Sequence, residues 1–310
     1  MKSAGLLALA MLCAGCAGDG VWKQRADATR LQQTVRLLEG ADDADSLAAA
    51  SVLSVGEAPA QRLDLMARAV ERAPVRADLL WLELQMCAPI DSCDSTPIEQ
   101  RLHAADPGNA AAWAVSVRRA GERGDAVTVN AVIEAMAASE RFDIYWNELI
   151  LHTTNAVLKV HTLNPQSALV DVIGFLSARA IPAYKQIGHA CRGEALSEAT
   201  WLATCRRLAA VLRAGDTYIT EMFGVSIDER VWPEDSAEFQ ESATAKQLAR
   251  YRMQASVDVT SFGDAKHLQR YFELLAMHRT EQEVVAAELM DAGVSPTPPQ
   301  DWKDTLAGGS

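Results

Sequence analysis

The sequence between residues 106 and 125 reads DPGNAAAWAVSVRRAGERGD, and it gives the clearest view of how this chain folds. Its first four residues are typical of a turn, and Asn109 is a preferred residue at the N-terminus of a helix. The alanine-rich run that follows predicts a helix, and Gly124-Asp125 predicts the end of that helix. A second helical run then reaches Ser139. The stretch therefore predicts one pair of helices joined by a tight turn.

A similar unit recurs on both sides of this stretch. Trp81, Trp113 and Trp146 follow one another at intervals of 32 and 33 residues. A period near 34 residues, with a pair of helices in each unit, is typical of helical repeat arrays. We therefore expect Trp113 to be a packing residue that makes no contact with a partner, with Trp81 and Trp146 at equivalent positions between the two helices of successive units.

The order of turn, tryptophan, helix and Gly-Asp turn resembles the tetratricopeptide repeat (TPR) family, over roughly residues 44–160. The family's glycine and tyrosine after the tryptophan are Val117 and Ala120 here, so the repeats are degenerate. The resemblance implies an all-α fold: a right-handed superhelix of helical hairpins (a TPR-like α-solenoid) with additional C-terminal helices. It also implies an inner groove, lined in this register by Leu82, Met86, Ala114, Arg118, Asn147 and Leu151. Ordinary packing between helices is the alternative role for these six residues.

Beyond residue 160 the repeat is lost, but apolar residues keep a helical period. We interpret residues 16–160 as TPR-like repeats and residues 161–292 as a helical region continuous with them. An ordered loop is expected over residues 225–235, and a loose, proline-containing tail over residues 293–310. The pattern predicts helices over residues 166–190, 198–213, 236–256, 264–278 and 280–292.

Four residues are predicted to be N-caps of helices. Asn109 and Ser197 have the side chains that N-caps prefer. Thr96 and Thr280 are each followed, three residues later, by a glutamate, which is the pattern of a capping box.

The first sixteen residues predict export from the cytoplasm. A short basic start and an apolar run of about ten residues are typical of a secretory signal, since a membrane span needs about 20. The ending Ala14-Gly15-Cys16 resembles a bacterial lipobox, in which small residues precede a cysteine that becomes lipidated. This resemblance implies a lipoprotein signal peptide at residues 1–15 and a lipid on Cys16, with the protein anchored in the outer membrane and facing the periplasm. The alternative is cleavage after Ala17, which would give a soluble periplasmic protein.

The remaining cysteines are Cys87, Cys93, Cys191 and Cys205. An even number in an oxidising compartment predicts disulfides, and three pairings are available. Proximity in the sequence favours a bridge within each close pair, Cys87 with Cys93 and Cys191 with Cys205. His189 could join the second pair in binding a metal, but structural zinc sites usually show two close pairs of ligands. We therefore expect two disulfides and no metal.

Composition and motifs argue against several classes of function. The net charge of −12 disfavours nucleic acid, whose phosphates attract surfaces rich in Lys and Arg. The sequence contains no pattern for a dinucleotide, a phosphate loop, a zinc protease, a serine hydrolase or haem, so no cofactor is expected. Glu241-Ser242 resembles part of a motif of helical enzymes that cut peptidoglycan, where the glutamate is the general acid. The later residues of that motif are absent, and we interpret Glu241 as an exposed helical residue.

These observations predict a lipid-anchored helical scaffold that binds a protein or peptide in the cell envelope. Its contact with the membrane would be the N-terminal lipid only, and Arg118 and Asn147 could hold the backbone or a carboxylate of the partner. The first alternative is an all-helical envelope enzyme, for example one that processes peptidoglycan, with catalytic residues that the sequence does not identify. The second is a subunit of a larger envelope assembly.

Overall fold

The structure is a computed structural model that describes residues 20–55, 57–179, 182, 184–259 and 264–304. The signal peptide predicted at residues 1–15, the lipidation site predicted at Cys16 and the end of the tail, residues 305–310, lie outside the described residues.

The described part of the chain is all-α, as predicted, with fifteen α-helices, two short 3₁₀ helices and no strand. The first seven α-helices are α1 (Gly20–Ala41), α2 (Ala44–Leu53), α3 (Pro59–Arg72), α4 (Ala77–Cys87), α5 (Thr96–Ala105), α6 (Ala114–Glu122) and α7 (Ala126–Ala137). A 3₁₀ helix, Ala110–Trp113, leads into α6. The predicted break between α6 and α7 is confirmed, and Gly124 there has a φ of 70°, which glycine adopts easily.

The second half of the chain contains α8 (Trp146–Lys159), α9 (Pro165–Arg179), α10 (Tyr184–Ala190), α11 (Ala199–Arg213), α12 (Tyr218–Val231), α13 (Ala237–Val259), α14 (Ala265–Met277) and α15 (Glu281–Asp291). The helical segment predicted over residues 166–190 is present as two helices, since α9 ends at Arg179 and α10 begins at Tyr184. Pro182 lies between them, and proline disfavours a helical conformation in the residue before it.

The loop predicted over residues 225–235 is mostly helix. Helix α12 continues to Val231, and irregular structure begins only at Trp232. The apolar side chains of Val225, Ile227 and Val231 are buried, so their packing holds this segment in the helix.

Two predicted N-caps are confirmed. The Asn109 Oδ1 atom accepts a hydrogen bond from the backbone N–H of Ala111 at 3.0 Å. Thr280 and Glu283 form a reciprocal capping box at the start of α15. Both caps could be predicted from the sequence because the capping side chain and the backbone N–H group that it accepts lie within a few residues of each other.

The other two predicted N-caps are wrong. Thr96 is already the first residue of α5, and Ser197 lies in the second 3₁₀ helix, Gly193–Ser197. The glutamate of the first predicted box, Glu99, accepts a hydrogen bond from Ser116 of α6 at 2.5 Å. A tertiary contact has thus replaced the local one.

The helices form one packed body. Each of α1 to α4 packs on the next, as do α4 and α5, and α6 and α7. The chain then returns on itself, so that α8 and α9 pack on α2, α9 also contacts α4, and α14 contacts α8 and α9. A single cluster of buried apolar side chains extends from Val35 to Ala287, and the two halves therefore share a core.

Helix α4 lies at the centre of this core. Every residue from Asp78 to Cys87 is buried, because α3, α5 and α9 pack around it. Trp81, in the middle of α4, has no exposed surface. A short helix that is apolar on nearly all sides is expected inside a domain. The positions on α4 that the repeat register assigns to a groove are consequently interior.

Candidate functional site

The predicted groove is closed. Four of its six residues are buried, with exposed fractions of 0% for Leu82, 7% for Met86, 1% for Ala114 and 1% for Asn147. The other two, Arg118 and Leu151, are partly exposed. The expectation that the four buried residues line an open groove is therefore wrong.

Other helices of the chain pack on the helices that carry these positions. Helix α9 lies on α4, α10 on α6 and α14 on α8. Gly121 of α6 approaches α10 so closely that a Cβ atom there would lie 2.7 Å from the Gln186 Cγ atom. The Asn147 side-chain amide donates to the carbonyl of His278 at 2.9 Å. Asn147 therefore makes, with the backbone of its own chain, the hydrogen bond that we had expected it to make with a partner.

Arg118 is also poorly placed as an anchor for a partner. Its nearest acidic partner is Glu122, with the Nε and Oε1 atoms 3.9 Å apart. Burial lowers the pKa of Arg118. Its guanidinium is therefore partly withdrawn from solvent, where a partner's carboxylate would have to reach it.

Both predicted disulfides are present. The Cα atoms of Cys87 and Cys93 lie 5.5 Å apart, and those of Cys191 and Cys205 lie 5.7 Å apart. The metal-binding alternative at His189 fails, because the two sulfurs that it needs are bonded to each other. Within the described residues, no group of three or more His, Cys, Asp or Glu side chains could hold a metal ion.

Arg119 holds the first disulfide loop in place. Its guanidinium donates to the carbonyls of Cys87 and Cys93, at 3.3 and 3.0 Å, and to the Ser95 hydroxyl at 2.7 Å. The loop between α4 and α5 is therefore fixed to α6 by charge-assisted hydrogen bonds as well as by its disulfide.

An open cleft of about 440 Å³ lies beside Trp113. It is lined by Pro107, Gly108, Trp113, Ala135, Ala138, Ser139 and Glu140, and we call it the Trp113 cleft. The indole is partly exposed and packs on the His103 ring, with ring centroids 4.0 Å apart. Trp113 packs against the core, as predicted, but it is only partly buried, and its exposed part faces the cleft. It also differs from Trp81, which is fully buried, and from Trp146, which begins α8.

Two paired loops form the frame of the cleft. The N–H of Ala110 donates to the carbonyl of Arg141 at 2.8 Å, and the N–H of Glu140 donates to the carbonyl of Gly108 at 3.0 Å. A Cβ atom on Gly108 would lie 3.0 Å from the Glu140 carboxylate, so glycine permits this close approach. An ion pair between Asp106 and Arg141 joins the same loops.

A buried polar cluster lies behind this frame. Asn109 has no exposed surface, and its amide donates to the Asp143 carbonyl at 2.7 Å and to the Tyr145 hydroxyl at 3.0 Å. The Tyr145 hydroxyl in turn donates to Asp106 at 2.6 Å. Tyr145 has a φ of 59°, an uncommon conformation for a bulky residue, which persists only where neighbours impose it.

Asp216, which lies between α11 and α12, adds a carboxyl group to this cluster. Its carboxyl group accepts the N–H groups of Ile144 at 3.1 Å and Trp146 at 3.0 Å, and so caps the start of α8. Asp143, beside it, is paired with Arg279 at 2.8 Å. Burial and the neighbouring Asp143 raise the pKa of Asp216 well above its usual value. The capping role of Asp216 has no local signal in the sequence, because Asp216 lies seventy residues from the helix that it caps.

A second open cleft, of about 580 Å³, lies between α2 and the end of α8. It is lined by Asp45, His152, Asn155, Leu158, Lys159 and His161. The His152 Nδ1 atom is 3.7 Å from Asp45, whose carboxylate is also paired with Arg76. The lining includes one acidic residue, Asp45, and one lysine, Lys159, so the cleft has no clear preference for one charge.

The Glu241-Ser242 pair is not in either cleft. Glu241 is exposed, with one carboxylate oxygen 3.4 Å from Arg213. Ser242 is buried and donates to Asp228 at 2.7 Å. Arg213 connects the two contacts, because it also lies 2.9 Å from the Asp228 carboxylate that Ser242 binds.

Comparisons with models of known protein families, with characterised proteins and with solved structures gave no match. Within the described residues, no single helix has the length and apolarity of a membrane span, and one bent pair, α9 with α10, meets that criterion on length and composition alone.

Proposed function

We propose that this protein is a lipid-anchored helical scaffold of the bacterial cell envelope, which binds a protein or peptide partner at the Trp113 cleft. The observation that carries this proposal is the Trp113 indole, partly exposed in an open cleft and supported by His103. Tryptophan contributes strongly to protein interfaces when it meets a partner from a rigid position. The paired loops and the buried cluster around Asn109 supply that rigidity.

The lining of the cleft indicates the chemistry of the partner. The small side chains of Ala135 and Ala138 leave room beside the indole for a flat ring, such as an aromatic side chain or a proline. Glu140 is exposed at the rim, and the whole chain carries a net charge of −12. A peptide segment with such a ring next to a basic residue would complement both features.

The location of the scaffold rests on the N-terminal sequence. The lipobox-like Ala14-Gly15-Cys16 supports a lipid anchor, and two disulfides suit an oxidising compartment such as the periplasm. Helix α1 begins at Gly20, four residues after Cys16. A lipid on Cys16 would thus hold the helical body close to the outer membrane.

We also propose that helices α2 to α9 retain a distorted TPR-like superhelix, whose inner face is filled by later helices. Arg119 near the end of α6 reaches the carbonyl of Cys87 at the end of α4. The interval of 32 residues between Cys87 and Arg119 equals that between Trp81 and Trp113. The same repeat register therefore relates both pairs.

Lipidation is tested by mass spectrometry of the mature N-terminus. A diacylated or triacylated Cys16 is the expected result, and Cys16→Ala should move the protein from the membrane fraction to the soluble fraction. An unmodified terminus at Gly18 would contradict the lipid anchor.

Partner binding is tested by co-purification from detergent-solubilised envelopes. We expect a stoichiometric partner with the parent protein and its loss with Ala138→Glu, which fills the cleft with a charged side chain. Val127→Glu is the matched control, because Val127 is 82% exposed on α7, the helix that Ala138 directly follows, and does not line the cleft. Retention of the partner by both variants would exclude the Trp113 cleft as the binding site.

A further inference from the structure

Helix α15 carries two acidic side chains on the face that packs against the protein. Glu288 is 5% exposed. Glu281 precedes it by seven residues, or two helical turns, so both side chains lie on one side of the helix. Helix α15 packs on α13 and α14. Glu288 is therefore buried at this interface, whereas Glu281, at the start of the helix, is partly buried.

The surroundings of Glu288 provide little compensation for a negative charge. Its Oε1 atom lies 3.3 Å from His267 Nε2, but neither atom makes a hydrogen bond within the described residues. Asp291 adds a second negative charge nearby, although it is itself paired with Arg270 at 2.7 Å. Burial, together with the negative charges of Glu288 and Glu281, raises the pKa of Tyr271 on α14.

Glu281 fastens the start of α15 to α12. Its carboxyl group accepts the Tyr218 N–H at 2.8 Å, and its own N–H donates to the Asp216 carbonyl at 2.8 Å. Glu221 of α12 contributes another negative charge. The positive charge of Arg252, on α13, favours the ionised forms of Tyr218 and Glu221.

We propose that α15 is a proton-controlled clasp, which stays docked on α12, α13 and α14 while Glu281 and Glu288 are protonated and detaches as they ionise. Detachment moves both carboxylates into water and removes the repulsion between Glu221 and Glu281. It also frees the connection from α14 to α15, whose Arg279 and His278 hold Asp143 and Asn147.

The direction of the pH effect follows from the burial of these groups. Burial raises the pKa of Glu281 and of Glu288 to about 7 from the ordinary glutamate value of 4.5. An acid with a higher pKa in the docked state than in the detached state stabilises the docked state at low pH. That stabilisation is complete below about pH 4.5 and is lost as the pH rises through about 7.

The experiment is amide hydrogen exchange of the full mature chain between pH 5.5 and 8, corrected for intrinsic exchange rates. We expect the opening equilibrium constant of α15 amides to rise about 10-fold or more over this range. Glu281→Gln and Glu288→Gln mimic the protonated side chains, and each should reduce the rise. Glu273→Gln, on the exposed side of α14, and His267→Gln should retain it.

Three outcomes would overturn the clasp. The first is an α15 opening constant that does not change with pH. The second is an unchanged rise in both Glu→Gln variants, or its loss in His267→Gln. The third is an α15 opening constant that never exceeds that of the α11 amides, which would mean that α15 opens only when the whole domain unfolds.

Discussion

Asp216 connects three separate parts of the chain through one carboxyl group and its backbone. Its side chain caps α8, its carbonyl accepts the N–H of Glu281, and its N–H donates to Phe142. Such a contact stabilises strongly because the N–H groups of Ile144 and Trp146 have no helical partner and cannot reach water. The same burial explains why the pKa of Asp216 is raised.

Asp216→Ala should therefore lower the free energy of unfolding by about 2–4 kcal/mol, since it leaves two buried donors without an acceptor. Asp216→Asn should cost less than Asp216→Ala but still destabilise the fold, because the amide oxygen accepts only one of the two N–H groups and the amide NH₂ faces the other. Urea denaturation of both variants measures the difference. Equal losses, or none in either, would contradict the capping role.

Arg119 is a second residue whose role can be isolated. Arg119→Ala removes the hydrogen bonds that fix the carbonyls of Cys87 and Cys93. The Cys87–Cys93 bridge should then be reduced several-fold faster by dithiothreitol, because access of the reductant depends on loop opening. Cys191–Cys205 serves as the internal control, and Arg118→Ala, at the neighbouring position on α6, serves as the matched variant. Unchanged reduction rates in Arg119→Ala would show that the disulfide alone holds the loop.

At the scale of elements, α4 has the environment of a core helix. Leu82→Ala should lower the free energy of unfolding by about 2–5 kcal/mol, as expected for a leucine deleted from a packed interior. Val127→Ala, at a position that is 82% exposed, should change it by less than about 0.5 kcal/mol. If Leu82 instead lined an open groove, both substitutions would have small and similar effects.

Most elements could be predicted where the signal was local. Apolar periodicity placed α11, α13, α14 and α15 within a few residues of their observed ends, and Asn109 and Thr280 were readable as caps. The end of α12 was predicted as a loop because charged residues, such as Asp228 and Glu229, interrupt the apolar pattern of its buried positions. The Thr96 box failed because Glu99 bonds to another helix.

At the scale of the whole molecule, the prediction of an open groove also failed because contacts between distant parts of the chain decide the outcome. Repeat spacing tells which face of a helix points inward, but it does not tell whether a partner or a later part of the chain fills that face. Here α9, α10 and α14 fill it, and their contacts with α4, α6 and α8 join segments far apart in the sequence. The Trp113 cleft was missed for a related reason, since its shape depends on two loops that meet only in the folded chain.

The stability of the whole molecule should decrease as the pH rises from 5 to 8. The pKa values of Asp216, Glu281 and Glu288 are all raised by burial, so the folded state binds more protons than the unfolded state in this range. The lowered pKa values of Asp43 and Asp125 act only at more acidic pH. Denaturation curves should show a loss of about 2 kcal/mol or more by pH 8. A free energy of unfolding that is constant or higher at pH 8 would contradict the assigned protonation states.

The most direct test of the closed inner face and the Trp113 cleft is photo-cross-linking in intact envelopes, with a diazirine amino acid placed at position 82 or at position 138. The buried position, Leu82, should give cross-links only within the chain, to α3, α5 or α9. The exposed position in the cleft, Ala138, should give a cross-link to another protein. Capture of a separate protein from position 82, with none from position 138, would mean that the inner face is open to a partner and that the site proposed here is wrong.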